Sequence, residues 1–106
     1  MITPSYKFSV CVLGGINIDF ISAVKSMPKA GETIVGDDFI VTPGGKGANQ
    51  AVACSRLGLK TSMIGRVGND TFADQLLSNL NDEKINTDGI TKDKNTHTGI
   101  ATIILD

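Results

Sequence analysis

Short β-branched apolar runs alternate along this chain with segments whose apolar positions recur every three or four residues. The first run, Phe8, Ser9, Val10, Cys11, Val12, Leu13, ends in the pair Gly14 and Gly15 and reads as a buried parallel strand. Ala48, Ala51, Val52, Cys54 and Leu57 form an apolar stripe at helical spacing, and Gly58 stands where a helix C′ glycine belongs. Thr61 to Val67 reads as a second buried strand. Gly68, Asn69 and Asp70 make a turn, with Asp70 as N-cap of a helix carrying Phe72, Leu76, Leu77 and Leu80 on one face. Ile85 to Ile90 reads as another short strand and Lys92 to Asn95 as a charged loop. Strands alternating with helices predict parallel βαβ units and an α/β fold.

Two polar clusters interrupt this pattern. The run Gly44, Gly45, Lys46, Gly47, Ala48, Asn49, Gln50, Ala51 lies where a loop becomes a helix. Glycine backbone can lie against a ligand, and the first N–H groups of a helix lack intrahelical partners. Lys46 adds a mobile positive charge, and Asn49 an amide that donates to and accepts from hydroxyls. The run is not a Walker A loop, because Gly47 rather than Ser or Thr follows Lys46, and its glycine spacing is not G-x-G-x-x-G. The second cluster, Gly14, Gly15, Ile16, Asn17, Ile18, Asp19, follows the first strand. Asn17 and Asp19 then stand at or just past its carboxyl end, where open α/β sheets place ligands, and an extended segment sends both side chains to one side. The plain alternatives are a glycine loop that only turns a strand into a helix, and an Asn/Asp turn bonded to its own backbone.

Composition narrows the classes. A net charge of -1 provides no basic patch for nucleic acid, and an aromatic content of 5% argues against base-stacking platforms. The apolar run at Phe8 is too short for a membrane span, and Met1 to Lys7 does not resemble a secretory leader. Cys11 and Cys54 read as packed small hydrophobes in a reduced, cytoplasmic setting. His97 is the single histidine, so a histidine-based metal cluster is excluded, and it reads as a rim residue before the last strand. The charges of 82–84 and 92–94 read as solvated loop charge.

The two clusters together, with Pro28, Gly31 and Glu32 between them and Thr98 and Gly99 downstream, resemble the amino-terminal third of ribokinases in the PfkB family of carbohydrate kinases. The likeness runs from Val10 to Leu105. It implies a three-layer αβα sheet with a small β-sheet lid, incomplete in this chain, so that residues 1–106 form the amino-terminal part and the nucleotide-binding part lies outside. The lid segments it implies are Phe20 to Val24, Thr33 to Val35, Phe39 to Thr42 and Gly99 to Leu105. These are short and β-branched, as suits a sheet with one face toward a ligand or partner, although ordinary core strands would look the same.

By the same resemblance Asn17 and Asp19 hold sugar hydroxyls, Gly45, Lys46 and Asn49 line the sugar pocket, and Ala101 and Ile103 press on the sugar from the lid. The implied activity is phosphorylation of D-ribose to ribose 5-phosphate with ATP and Mg2+, with K+ or a similar monovalent cation as activator. The lid is expected to pair with a second subunit in a homodimer. The catalytic base that the family implies is the aspartate of a Gly-Ala-Gly-Asp segment. No such segment occurs in these 106 residues, so the base is expected beyond Asp106, and Asp19 does not replace it. The isolated stretch is accordingly expected to have no kinase turnover. The alternatives are another sugar or nucleoside kinase of the family, or a non-catalytic truncated chain that binds sugar.

Overall fold

The computed structural model describes residues 8–106; the segment Met1–Lys7 lies outside the described residues. Strand β1 (Ser9–Leu13) leads through a three-residue link into β2 (Asn17–Ala23), and β3 (Asp38–Gly44) runs directly into helix α1 (Lys46–Arg56). Strand β4 (Lys60–Val67), helix α2 (Thr71–Asp82), β5 (Asn86–Lys92) and β6 (Gly99–Leu105) complete the order.

Two three-stranded sheets result. The first is all parallel in the order β1-β4-β5, as the βαβ pattern requires, with Val12 beside Met63 and Leu13 beside Ile64. Both helices contribute to its one core: Val12 of β1, Ala48 and Ala51 of α1, Met63 and Val67 of β4, and Ala73, Leu76 and Leu80 of α2. Small alanines let α1 come close to the sheet, while the larger leucines of α2 fill the space beside Ile85. The other face of the sheet is open, and Leu13 and Ile64 are exposed there.

This explains the position of Cys11. A purely apolar run predicts burial on both faces, but Cys11 alternates with Val10 and Val12 on the uncovered face and is exposed. Leu57 is likewise not part of the helix stripe. It is the C-cap of α1 and 82% exposed, because the helix ends at Arg56 and the chain turns through Gly58 at φ 93°.

In the second sheet β2 is central, antiparallel to β3 and parallel to β6. Three of the four implied lid segments are therefore strands, with β2 starting earlier, at Asn17. Thr33 to Val35 is not one. That stretch belongs to a connection with a turn at Lys29–Glu32, closed by the Glu32 N–H donating to the Lys29 carbonyl at 2.9 Å. The stretch pairs with neither outer edge of the β3-β2-β6 sheet, only Ile34 of the three is half-buried, and Val35 is 91% exposed, so its β-branched residues do not make it a strand. The sheet joins the core on one side: Ile18 is buried, and the Phe20 ring meets Phe72 of α2 edge-on at 5.4 Å and Phe39 at 6.0 Å.

Of the charges expected to be solvated, Asp82, Lys84 and Lys94 are exposed and in no ion pair among the described residues, whereas Glu83, Lys92 and Asp93 are paired. Glu83 accepts from Arg56, which holds its carboxyl below the usual range and raises the guanidinium. Lys92, the last residue of β5, bonds Asp74, and Arg66 meets Asp93 at 3.3 Å. All three pairs have at least one exposed partner, so solvent screening leaves each a minor contributor.

Candidate functional site

Asn17 and Asp19 occupy alternate positions at the start of β2, so both stand on the face that Ile18 and Phe20 do not use. The register places Asn17 between Gly44 and Gly99, and Asp19 between Thr42 and Ala101. Ile103 follows two residues later on the same face, beside Ile21. The neighbours of the two polar side chains are glycines for a physical reason. The Asp19 carboxylate lies against the Gly44 Cα, where a methyl group has no room. A Cβ on Gly99 would come to 2.7 Å from Asn17 Oδ1.

The start of α1 closes one end of this face. Gly45 is its N-cap, at φ 100°, a conformation that side chains disfavour, and a Cβ there would lie 2.5 Å from the Gly15 carbonyl oxygen and 3.0 Å from the Asn17 nitrogen. The loop after β1 and the loop before α1 are thus in direct backbone contact. Gly47 and Gly14 touch in the same way, with a Gly47 Cβ falling 2.7 Å from the Gly14 Cα. Not all the first amides of α1 face outward: the Ala48 N–H donates to the Gly15 carbonyl at 3.0 Å. Helix α1 has neither a side-chain cap nor an acidic residue in its own first turn.

Lys46 opens the helix and Asn49 lies one turn in, both exposed. Among the described residues, no side-chain hydrogen bond or ion pair engages the polar atoms of Asn17, Asp19, Lys46 or Asn49. An Asn/Asp turn bonded to its own backbone is therefore not what the second cluster forms. Asn17 and Asp19 on the sheet face, and Lys46 and Asn49 in the first turn of the helix that abuts it, offer a carboxylate, two amides and an ammonium with unused hydrogen-bonding capacity, groups suited to a polyhydroxy compound.

Among the described residues Asn17 and Asp19 are half-buried and Lys46 and Asn49 exposed. An open cavity of about 650 Å³ lies on the other face of β2-β3-β6, lined among others by Ser22, Phe39, Thr102 and Ile104. It is separate from the Asp19 face by strand alternation. Asp106 is no part of the site either. It is exposed, and it follows β6 at the end where Leu105 pairs with Ala23, opposite the end where Gly99 pairs with Asn17. Sequence reasoning missed Thr42, Gly44 and Gly99 as neighbours of the polar pair. Gly44 stood in the quoted run, but only cross-strand register puts it against Asp19.

The family model for pfkB family carbohydrate kinases matches residues 7–106. The chain belongs to the PfkB family of carbohydrate kinases. Within this family it is 42% identical over 97 residues to a ribokinase of Bacillus subtilis, covering 92% of this chain and 33% of that protein. It is also 42% identical over 96 residues to a deoxyribokinase of Salmonella typhi, covering 91% and 31%. Among solved structures, that of an Arabidopsis thaliana ribokinase complexed with ribose and ATP superposes with a TM-score of 0.80 at 30% identity, over 91% of this chain and 31% of that one. The fold is ribokinase-like, and this PfkB chain spans about a third of the length of the curated relatives it matches.

Proposed function

We propose that the full-length protein carrying this chain transfers the γ-phosphoryl group of ATP to the primary hydroxyl of D-ribose, giving ribose 5-phosphate, and that residues 1–106 supply its sugar-binding part. The observation that carries this reading is the Asn17–Asp19 face, flanked by the Gly44–Gly45 turn on one side and by β6 on the other. Asp19, as a carboxylate, accepts from two neighbouring sugar hydroxyls, and Asn17 and Asn49 add bonds of either polarity. Lys46 and the Gly45 backbone line the same end. Ala101 and Ile103 cover the apolar side of the ring. The similarity to a ribokinase whose structure holds ribose and ATP supports the choice of substrate class.

Phosphoryl transfer depends on positioning and on electrostatic stabilisation of the transferring group. In this reading the chain positions the acceptor, while the nucleotide cleft and the base that deprotonates the hydroxyl lie beyond Asp106. The family implies magnesium and a monovalent cation. Both ions are assigned to the nucleotide-binding part.

The homodimer is proposed through the lid. Phe39, Val41, Ile100 and Ile104 share the sheet face opposite Asp19 and are 59%, 43%, 43% and 39% exposed, an apolar surface that a second lid would cover. Light scattering of the full-length protein measures this directly, and a monomer at micromolar concentration removes the proposal.

Steady-state kinetics of the full-length protein with Asp19→Ala test the sugar site. Losing two charge-assisted hydrogen bonds lowers kcat/KM for ribose by a factor on the order of 10²–10⁴, with the KM for ATP near wild type. A variant with wild-type ribose kinetics overturns the assignment. The equal 42% identity to a ribokinase and a deoxyribokinase favours a second reading, a family kinase for another sugar or a nucleoside. A screen of ribose, 2-deoxyribose, fructose and nucleosides separates the two, because a site built to bond a hydroxyl discriminates strongly against the analogue that lacks it.

A further inference from the structure

Asp70 caps α2, but capping uses only part of its carboxylate. Its Oδ1 accepts from the Ala73 N–H at 2.9 Å, which satisfies the helix end. The same oxygen accepts from the Thr98 hydroxyl at 2.7 Å, and Oδ2 accepts from the Thr98 N–H at 2.8 Å. Thr98 is fully buried, and its hydroxyl oxygen also accepts from the Gly68 N–H at 3.1 Å. The turn before α2 therefore grips the chain just before β6 from several sides. Asn69 N–H donates to the Thr96 carbonyl at 3.1 Å, and Gly68 packs so closely on His97 and Thr98 that no Cβ fits.

Thr98 immediately precedes Gly99, the residue that lies beside Asn17, and two residues later Ala101 stands beside Asp19. The β2–β6 ladder sets Gly99 and Ala101 beside Asn17 and Asp19, and Thr98 ties the root of that strand to the turn before α2.

We propose that Asp70 is a positioning residue for the sugar site: by holding Thr98 against the α2 N-terminus it fixes the root of β6 and thereby the placement of Gly99, Ala101 and Ile103 relative to Asn17 and Asp19. The proposal rests on the reading of that face as the sugar site. A simple cap would need one acceptor, which Ser or Asn provides as well. The second oxygen serves only the Thr98 N–H.

The test uses the full-length protein with Asp70→Asn, Asp70→Ser, Thr98→Val and Thr98→Ser. Asn keeps the capping carbonyl but turns its NH2 group toward the Thr98 N–H; Ser keeps the cap but is too short to bond both Thr98 groups. Valine retains the shape of Thr98 and removes its hydroxyl. Asp70→Asn, Asp70→Ser and Thr98→Val raise the KM for the sugar about tenfold or more and leave the KM for ATP within about twofold of wild type; Thr98→Ser remains near wild type on both. Amide hydrogen exchange of the same three variants loses protection about tenfold or more over residues 99–105 and stays within about threefold over residues 72–82. An unchanged sugar KM, or a protection loss shared equally by α2 and β6, overturns the proposal. If the wild-type protein phosphorylates no sugar, the reading of the site falls, and the exchange pattern alone decides whether Asp70 anchors β6.

Discussion

The carboxylate of Asp19 rests on the Cα of Gly44, the residue diagonal to it across the antiparallel ladder between β2 and β3. The contact ties the polar face of the second sheet to the glycine loop that begins α1. Because Asp19 is the movable partner, Gly44→Ala displaces its carboxylate rather than the backbone. The variant is expected to weaken sugar binding by about tenfold or more while changing stability by less than about 1 kcal/mol. Calorimetric sugar binding and a thermal melt on the same sample check both halves; a large loss of stability with intact sugar affinity contradicts it.

The contact between Gly47 and Gly14 is of the opposite kind, since backbone stands on both sides and neither can yield by a side-chain rotation. Gly47→Ala is overpacked and is expected to destabilise the protein by about 1–3 kcal/mol, although alanine favours a helix more than glycine does. Denaturant unfolding measures it. A variant more stable than wild type shows that helix propensity outweighs the contact.

Asp70 gives the stability a pH signature. The Thr98 N–H, then the Thr98 hydroxyl, and to a lesser extent the Ala73 N–H and the nearby His97 hold its carboxyl below the usual aspartate range, against a smaller opposing effect of burial. A native pKa below the unfolded one stabilises the fold above the ordinary value of about 3.9, and this is lost as the pH falls through the depressed native pKa. The stability gap between wild type and Asp70→Asn therefore narrows below about pH 4, as the carboxyl takes up its proton. Urea midpoints on either side of that pH provide the check, and a gap that does not narrow on acidification excludes this role for the charge.

Leu80 is 1% exposed and packs in the core that α2 shares with β4. Leu80→Ala removes buried methyl groups and leaves a cavity, so a loss of about 2–5 kcal/mol is expected. Leu77, half-buried on the same helix, costs clearly less when truncated. Equal losses at the two positions indicate that the helix packs in another rotation.

Much of the fold is legible along the chain alone. The 3.6-residue spacing marks Leu76 and Leu80, Asp70 is recognisable as a cap from its place before an apolar helix, and Gly58 as a helix end, because each is decided by contacts within a few residues. Thr33 to Val35 misleads because β-branching states what a strand can accept, not whether the chain path brings the stretch alongside a sheet edge. Cys11 and Leu57 mislead because apolar character does not say which face a helix covers or where a helix stops.

The alternation of strands and helices, the glycine loop into α1 and the family likeness carried by separated polar clusters can be read along the chain, since these depend on local backbone preference and on residue identity. Which residues meet is settled only on folding. Register across β3-β2-β6 set Gly44 and Gly99 against Asp19 and Asn17, and the second oxygen of Asp70 found Thr98, 28 residues away. Such pairings arise from the closing of long loops around a shared core, and no local spacing along the chain encodes them.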